Sequence, residues 1–233
     1  MVKKHMATGA LREKLARLYS WAIELDKIEE PSPQDRTRPL PPASESEIAA
    51  AERRLRLTFP PSYRAFLMLH NGWKNFSFDW WLMSVSKGGT PAADREWTRD
   101  AASFEKDCRK RSPTTIESLR SQSKRDAAVM YWPDHVPLAA DFNGGFLVFD
   151  RNRCRSDGEY EIVEIRDEEV DRRLPDFTAF VDWALSVARR ELQIHQRDPD
   201  AIPSVSPVST APVRKTRPTS RKVGGKAPKR RRR

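Results

Sequence analysis

Asp141 and Asp150 flank a Gly144-Gly145 turn and the apolar run Phe146-Leu-Val-Phe149, an arrangement in which one carboxyl could serve as acid and the other as base on a glycosidic bond. Acidic residues beside glycine turns more often cap the turn and stay solvated, and that is the reading adopted for both. The other reactive residue types form no chemical set. His5, His70, His135 and His195 show neither His-x-x-His nor His-Glu-x-x-His spacing, and none stands near Cys108 or Cys154 in a zinc-ligand pattern. The glycines include no Gly-x-Gly-x-x-Gly and no phosphate loop, the serines no nucleophile elbow, and the cysteines no local catalytic signature. The expectation is therefore no catalytic residue, no metal, no cofactor and two reduced thiols.

Binding chemistry is better represented. Trp73, Trp80 and Trp81 lie close together, and tryptophan is enriched at the energetic centres of protein interfaces. Neighbours on a strand point to opposite faces, so Trp80 and Trp81 cannot fill one core, and one of them is a candidate contact residue. The net charge of +10 is unevenly placed. Eleven Lys and Arg, with no Asp or Glu, fall from Ala201 onward, leaving 32 basic against 33 acidic residues in the first 200. The charge thus belongs to a tail ending Lys229-Arg-Arg-Arg-Arg233. That tail has no aromatic residue and too little apolar surface to order itself; it suits non-specific contact with phosphate backbones, not sequence readout. No apolar run approaches the ~20 residues that span a bilayer, and Met-Val-Lys-Lys-His-Met lacks the apolar core of a signal peptide. A cytoplasmic protein with no membrane partner is expected.

The elements that must position these residues begin with a helical corner. Ser44 can cap a helix, with Glu47 three residues on as the return half of a capping box, and Ile48, Ala51 and Leu55 share one face. Pro60 and Pro61 stop that helix and can start the next, whose apolar face carries Tyr63, Phe66, Leu67 and His70. Asn71-Gly72 reads as its left-handed cap.

This corner resembles the opening motif of the SUKH superfamily, the Smi/Knr-like domains, with Glu52 as the motif's glutamate, Pro60 and Pro61 as its prolines and Asn71-Gly72 as its closing pair. The resemblance continues through Val136-Pro-Leu-Ala-Ala-Asp141, Gly144, Gly145 and a strand ending in Asp150, then a partner strand from Glu159 to Ile165 and a closing helix from Phe177 to Leu185. It implies a non-catalytic module, many members being bacterial immunity proteins that bind a cognate toxin, often a nuclease or deaminase, and block it. The motif residues, Tyr63 and Phe66 included, are then chiefly structural. Trp73, Trp80, Trp81 and an acidic face at Asp141, Glu159 and Glu161 are the expected partner contacts. A regulatory scaffold, or an adaptor whose tail touches nucleic acid, is the alternative.

Around this core, residues 1–30 carry a helix whose stripe Leu11, Leu15, Leu18, Ala22 and Leu25, with Trp21 beside it, should dock on the body. A proline-rich linker spans 31–43, the SUKH-like domain 44–195 and a disordered basic tail 199–233. Phe78 to Val85, closed by Gly88-Gly89, and Ala127 to Trp132 read as strands. A charged insert covers about 87–125, helix-like to Lys110 and polar enough to be mobile from Ser112. Phe177, Phe180, Val181, Ala184, Leu185, Ala188 and Leu192 line one face of a final helix capped by Asp176. The fold class is α+β, a mainly antiparallel sheet covered by N-terminal helices and a C-terminal helix.

Overall fold

The computed structural model describes residues 2–197, except 34, 78–79, 86–91, 112, 127–130, 142–143 and 167–168. Helix α1 (Val2–Glu29) precedes the corner, whose first helix, α2 (Glu45–Leu55), begins on a complete capping box. The Glu47 amide donates to the Ser44 hydroxyl at 3.3 Å, and the Ser44 amide to the Glu47 carboxylate at 2.8 Å. Ser44→Ala removes one half of that exchange and is expected to lower stability by about 1 kcal/mol, seen as a lower urea midpoint at unchanged m. Ile48 and Ala51 are buried, and Arg56, left-handed at φ 50°, ends the helix. Helix α3 (Pro61–Leu67) follows with Pro61 in its first turn.

Asn71-Gly72 does not cap α3. That helix stops at Leu67, and Met68 keeps right-handed backbone at φ −71°. Asn71 and Gly72 instead steer the chain into a sheet. Among the described residues its seven antiparallel strands lie in chain order: β1 (Arg38–Pro39), β2 (Trp73–Lys74), β3 (Trp81–Leu82), β4 (His135–Ala140), β5 (Phe146–Cys154), β6 (Tyr160–Arg166) and β7 (Glu169–Leu174). The α2–α3 corner is the excursion between β1 and β2. Helices α4 (Ala92–Arg111) and α5 (Pro113–Arg125) occupy the excursion between β3 and β4, and α6 (Phe177–Arg197) closes the fold.

Both faces of the sheet are apolar. Leu147, Phe149 and Ile162 join the main core with α1, α2, α3 and α6, while Phe146, Val148, Val163 and Ile165 form a second cluster with Met83 and Ala140. Successive residues of β5 identify the layers. Arg151 donates to the Arg56 carbonyl behind α2 at 2.8 Å, whereas Asn152, on the opposite side, lies 3.3 Å from Ser123 of α5. The sheet therefore sits between a large helical layer and the α4–α5 pair. In the large layer Tyr63 packs edge-on to Phe59, Phe149 and Phe177, and Leu11, Leu15 and Leu18 of α1 are buried, with Lys14 paired to Asp182 of α6. Asp176 accepts the Ala179 amide at 2.9 Å and caps α6.

The α+β class stands as read; several details do not. The segment from Ser112, read as mobile from its polarity, is helical over Pro113–Arg125, because Ile116 and Leu119 join Phe104 and Cys108 of α4 around the buried Tyr131. The stretch Ala127–Trp132 holds no strand among its described residues: Trp132–Asp134 is a 3-10 turn around Pro133, and the strand begins at His135. Within Phe78–Val85 only Trp81–Leu82 is strand among the described residues. The segment 31–43 is more than a spacer. Its buried Thr37 donates its amide to Asp26 of α1 at 2.9 Å and accepts the Trp73 indole NH at 2.9 Å, and Arg38–Pro39 forms a sheet edge. The Gly88-Gly89 stop and the basic tail lie outside the described residues.

Candidate functional site

The two aspartates that could have formed an acid–base pair stand at opposite ends of the β4–β5 hairpin. Asp141 adjoins the Ala140–Phe146 pair, and Asp150 faces His135. Asp141 stands opposite Gly145, and five strand steps from there to Asp150 at ~3.3 Å each put ~16 Å between their backbones, beyond the ~5–9.5 Å over which paired glycosidase carboxyls work. Each is also committed to structure. Asp141 accepts the Gly145 amide at 2.6 Å, closing the turn in which Gly144 is left-handed, and is paired with Arg166 at 2.6 Å. Capping holds for Asp141, but solvation does not, since its carboxylate is 2% exposed.

Asp150 is no turn residue: β5 continues past it to Cys154, and its carboxylate is equally buried. His135 Nε2 lies 3.3 Å from it, Arg173 donates at 2.9 Å and the Asn152 amide at 3.0 Å. Burial alone would push this carboxyl up, but these three donors together hold it well below the usual carboxylate range. Arg173 also binds Glu161 at 3.0 Å, and Arg153 stands 3.7 Å from Asp150. The 3-10 turn ties the α4–α5 pair to this network, because the Tyr131 carbonyl lies 3.0 Å from His135 Nδ1.

A third buried carboxylate, Glu164 of β6, faces the large helical layer between Arg166 at 3.0 Å and Arg172 at 3.8 Å. Burial pushes it up despite both arginines. At the corner, Glu52 accepts the Phe59 amide at 2.9 Å and pairs with Arg64 at 3.1 Å, while Arg64 also grips Glu45. One glutamate thereby joins both helices across the prolines. The N-cap residue of α3, Pro60, offers no side-chain acceptor, and Glu159 supplies it: the Ser62 amide and hydroxyl donate to its carboxylate at 2.8 and 2.6 Å. Burial raises the Glu159 carboxyl in spite of those bonds.

A corner pinned by the partly buried Glu52 and a central hairpin closed by Asp141 are two of the places where the sequence resemblance lies. The model of the SMI1 / KNR4 family (SUKH-1) matches residues 42–183, more than half of the chain. The chain belongs to the SMI1 / KNR4 family. No curated protein matches it in sequence. Helix α1 and the last turns of α6 lie outside the matched stretch of the SUKH domain.

On this SUKH fold the expected contact residues are placed differently from their forecast. Trp73 is fully buried between Tyr19, His70 and Phe76, and Trp80 is 2% exposed, with the Arg166 guanidinium 5.3 Å from its ring centre. Both belong to the main core with residues of α1, α3 and α6, which leaves neither open to a partner. Trp81 is the partly exposed member, under Lys74 Nζ at 4.6 Å. The acidic residues Asp141, Glu159 and Glu161 already have internal partners in Arg166, Ser62 and Arg173. Sequence reading missed His135, Arg153 and Arg173. The available signal was cross-strand: polar residues stand opposite one another at His135–Asp150 and Asp150–Glu161.

Proposed function

We propose that this SUKH protein is a non-catalytic binding module, an immunity protein that neutralises a cognate toxin by covering its working surface. Membership of the family over residues 42–183 carries this reading, since toxin-blocking immunity proteins are what the resemblance implies. The mechanism is steric occlusion by a preformed surface, with complementary charge setting association and no turnover. Consistent with it, the ionic network and the helical corner are held by internal partners, which gives a rigid surface at little ordering cost on binding. A nuclease or deaminase is the toxin class the reading names.

The test is coexpression with the toxin encoded beside it. Cells making both are expected to survive, and a chain ending at residue 198 is expected to protect equally. Death despite coexpression would reject the reading. The basic tail supports a second one, an adaptor that holds nucleic acid non-specifically. In that case truncation abolishes retention on nucleic acid, and affinity falls with salt at a slope near −0.9 per phosphate neutralised.

A further inference from the structure

Helices α1 and α6 run in the same direction, which brings their C-terminal ends together. Lys14 pairs with Asp182 at 2.6 Å toward one end of the two helices, and Glu29 Oε1 stands 3.8 Å from His195 Nε2 at the other, within ion-pair range but too far for a hydrogen bond. One turn before His195 on α6 lies Glu191. His195 and Glu191 are buried, at 7% and 4% exposed, and among the described residues both ring nitrogens of His195 and Oε2 of Glu191 have no hydrogen-bond partner. Asp26, a turn before Glu29 on α1, accepts the Thr37 amide at 2.9 Å and has the Arg36 charge near it. Lys27 and Arg197, the other cations of the two last turns, are exposed.

The carboxylates here outnumber what can neutralise them. With a charged imidazole, Glu29, Glu191 and His195 set two carboxylates against one cation, and with a neutral one, two against none. In either state a carboxylate is left over. The negative ends of both helix dipoles fall on the same place and oppose that charge further. Burial accordingly pushes the Glu29 and Asp26 carboxyls up, despite His195 beside the first and Thr37 and Arg36 beside the second.

We propose that Glu29, Glu191 and His195 form a proton-operated clasp, which docks the last turns of α1 on α6 while it holds an added proton and loosens when that proton leaves. The added proton removes the leftover charge whichever of the three side chains receives it. A carboxyl raised in the folded state contributes most below its unfolded pKa and loses that contribution as pH rises through its folded value, so docking weakens toward alkaline pH. Loosening reaches the sheet through Asp26, since Thr37 holds both that carboxylate and the Trp73 indole beside β1. The clasp lies wholly outside residues 42–183, the stretch matched to the family.

The test is hydrogen exchange of the full chain at about pH 5 and about pH 8, with amide protection in residues 22–29 taken relative to residues 147–149 of β5, which report on the whole fold. Relative protection of the α1 end is expected to fall about tenfold or more between the two, the equivalent of one proton over one pH unit. A variant with both Glu29→Gln and Glu191→Gln has no carboxylate to leave over and should show no such fall, and Glu29→Gln alone, at the exposed rim, should show a smaller one. Equal relative protection at the two pH values, or an undiminished fall in the double variant, overturns the proposal. So does zinc chloride raising protection at about pH 8 to its acid level, because the occupant would then be a metal ion and not a proton.

Discussion

Gly72→Ala is expected to be among the most damaging single substitutions in the chain, lowering stability by about 4 kcal/mol, a large share of the ~5–15 kcal/mol that holds a domain together. Two effects add. Gly72 sits at φ 91°, where an L side chain is strained, and a Cβ there would meet the Leu82 carbonyl oxygen at 2.8 Å and the Ser84 nitrogen at 3.0 Å. Those atoms belong to backbone and cannot swing aside. The crowding follows from the job of the segment: the Leu40 amide donates to the Gly72 carbonyl at 3.0 Å on one side, and the Asn71 side chain accepts the Val85 amide at 2.8 Å on the other. Gly144→Ala separates the two effects, because Gly144 has a similar φ of 82° with open space around it. Strain alone should cost about 1 kcal/mol there. Urea unfolding of the two variants checks the pair, and equal losses would show that the approach of β3 to Gly72 is not what requires glycine.

The corner was legible because its determinants are local. Ser44 and Glu47 sit three residues apart, Pro60 and Pro61 act on their own backbone, and the apolar faces of α2, α3 and α6 repeat at helical spacing. Asn71-Gly72 was visible as a glycine requirement, but its cause lies across the sheet in Leu82 and Ser84, out of reach of a local reading. Strands β1, β2 and β3 have two residues each and exist only through pairing partners distant in sequence, such as Arg38 with Lys74 and Leu82 with Ala139. No periodicity can announce them. The burial of Trp73 and Trp80 was not legible for a related reason: both sit in the main core, among residues distant in sequence, such as Tyr19 of α1 beside Trp73. The ionic network escaped because its members come from four strands and each looks like an ordinary surface charge in isolation.

Asp150→Ala is expected to cost about 3–5 kcal/mol, because it removes the buried carboxylate that His135 and Arg173 both face. Asp150→Asn keeps the shape and an acceptor but not the charge, so it should lose less than the alanine variant and isolate the ionic part. The pH dependence follows from the sign of the shift. The folded carboxyl is held below its unfolded value, so its contribution is fully present above the unfolded pKa of ~3.9 and disappears as pH falls through the lower folded value. Glu159 and Glu164 act oppositely: burial raises them, so their ionisation favours the unfolded chain as pH rises through the acid range. The whole protein therefore shows a mixture. Subtracting the stability of Asp150→Asn from that of the wild type at each pH cancels the shared carboxyls, and the difference should be flat from neutral pH to about 5 and shrink below about 4. A difference that stayed constant into the acid range would mean that Asp150 contributes hydrogen bonds and not charge.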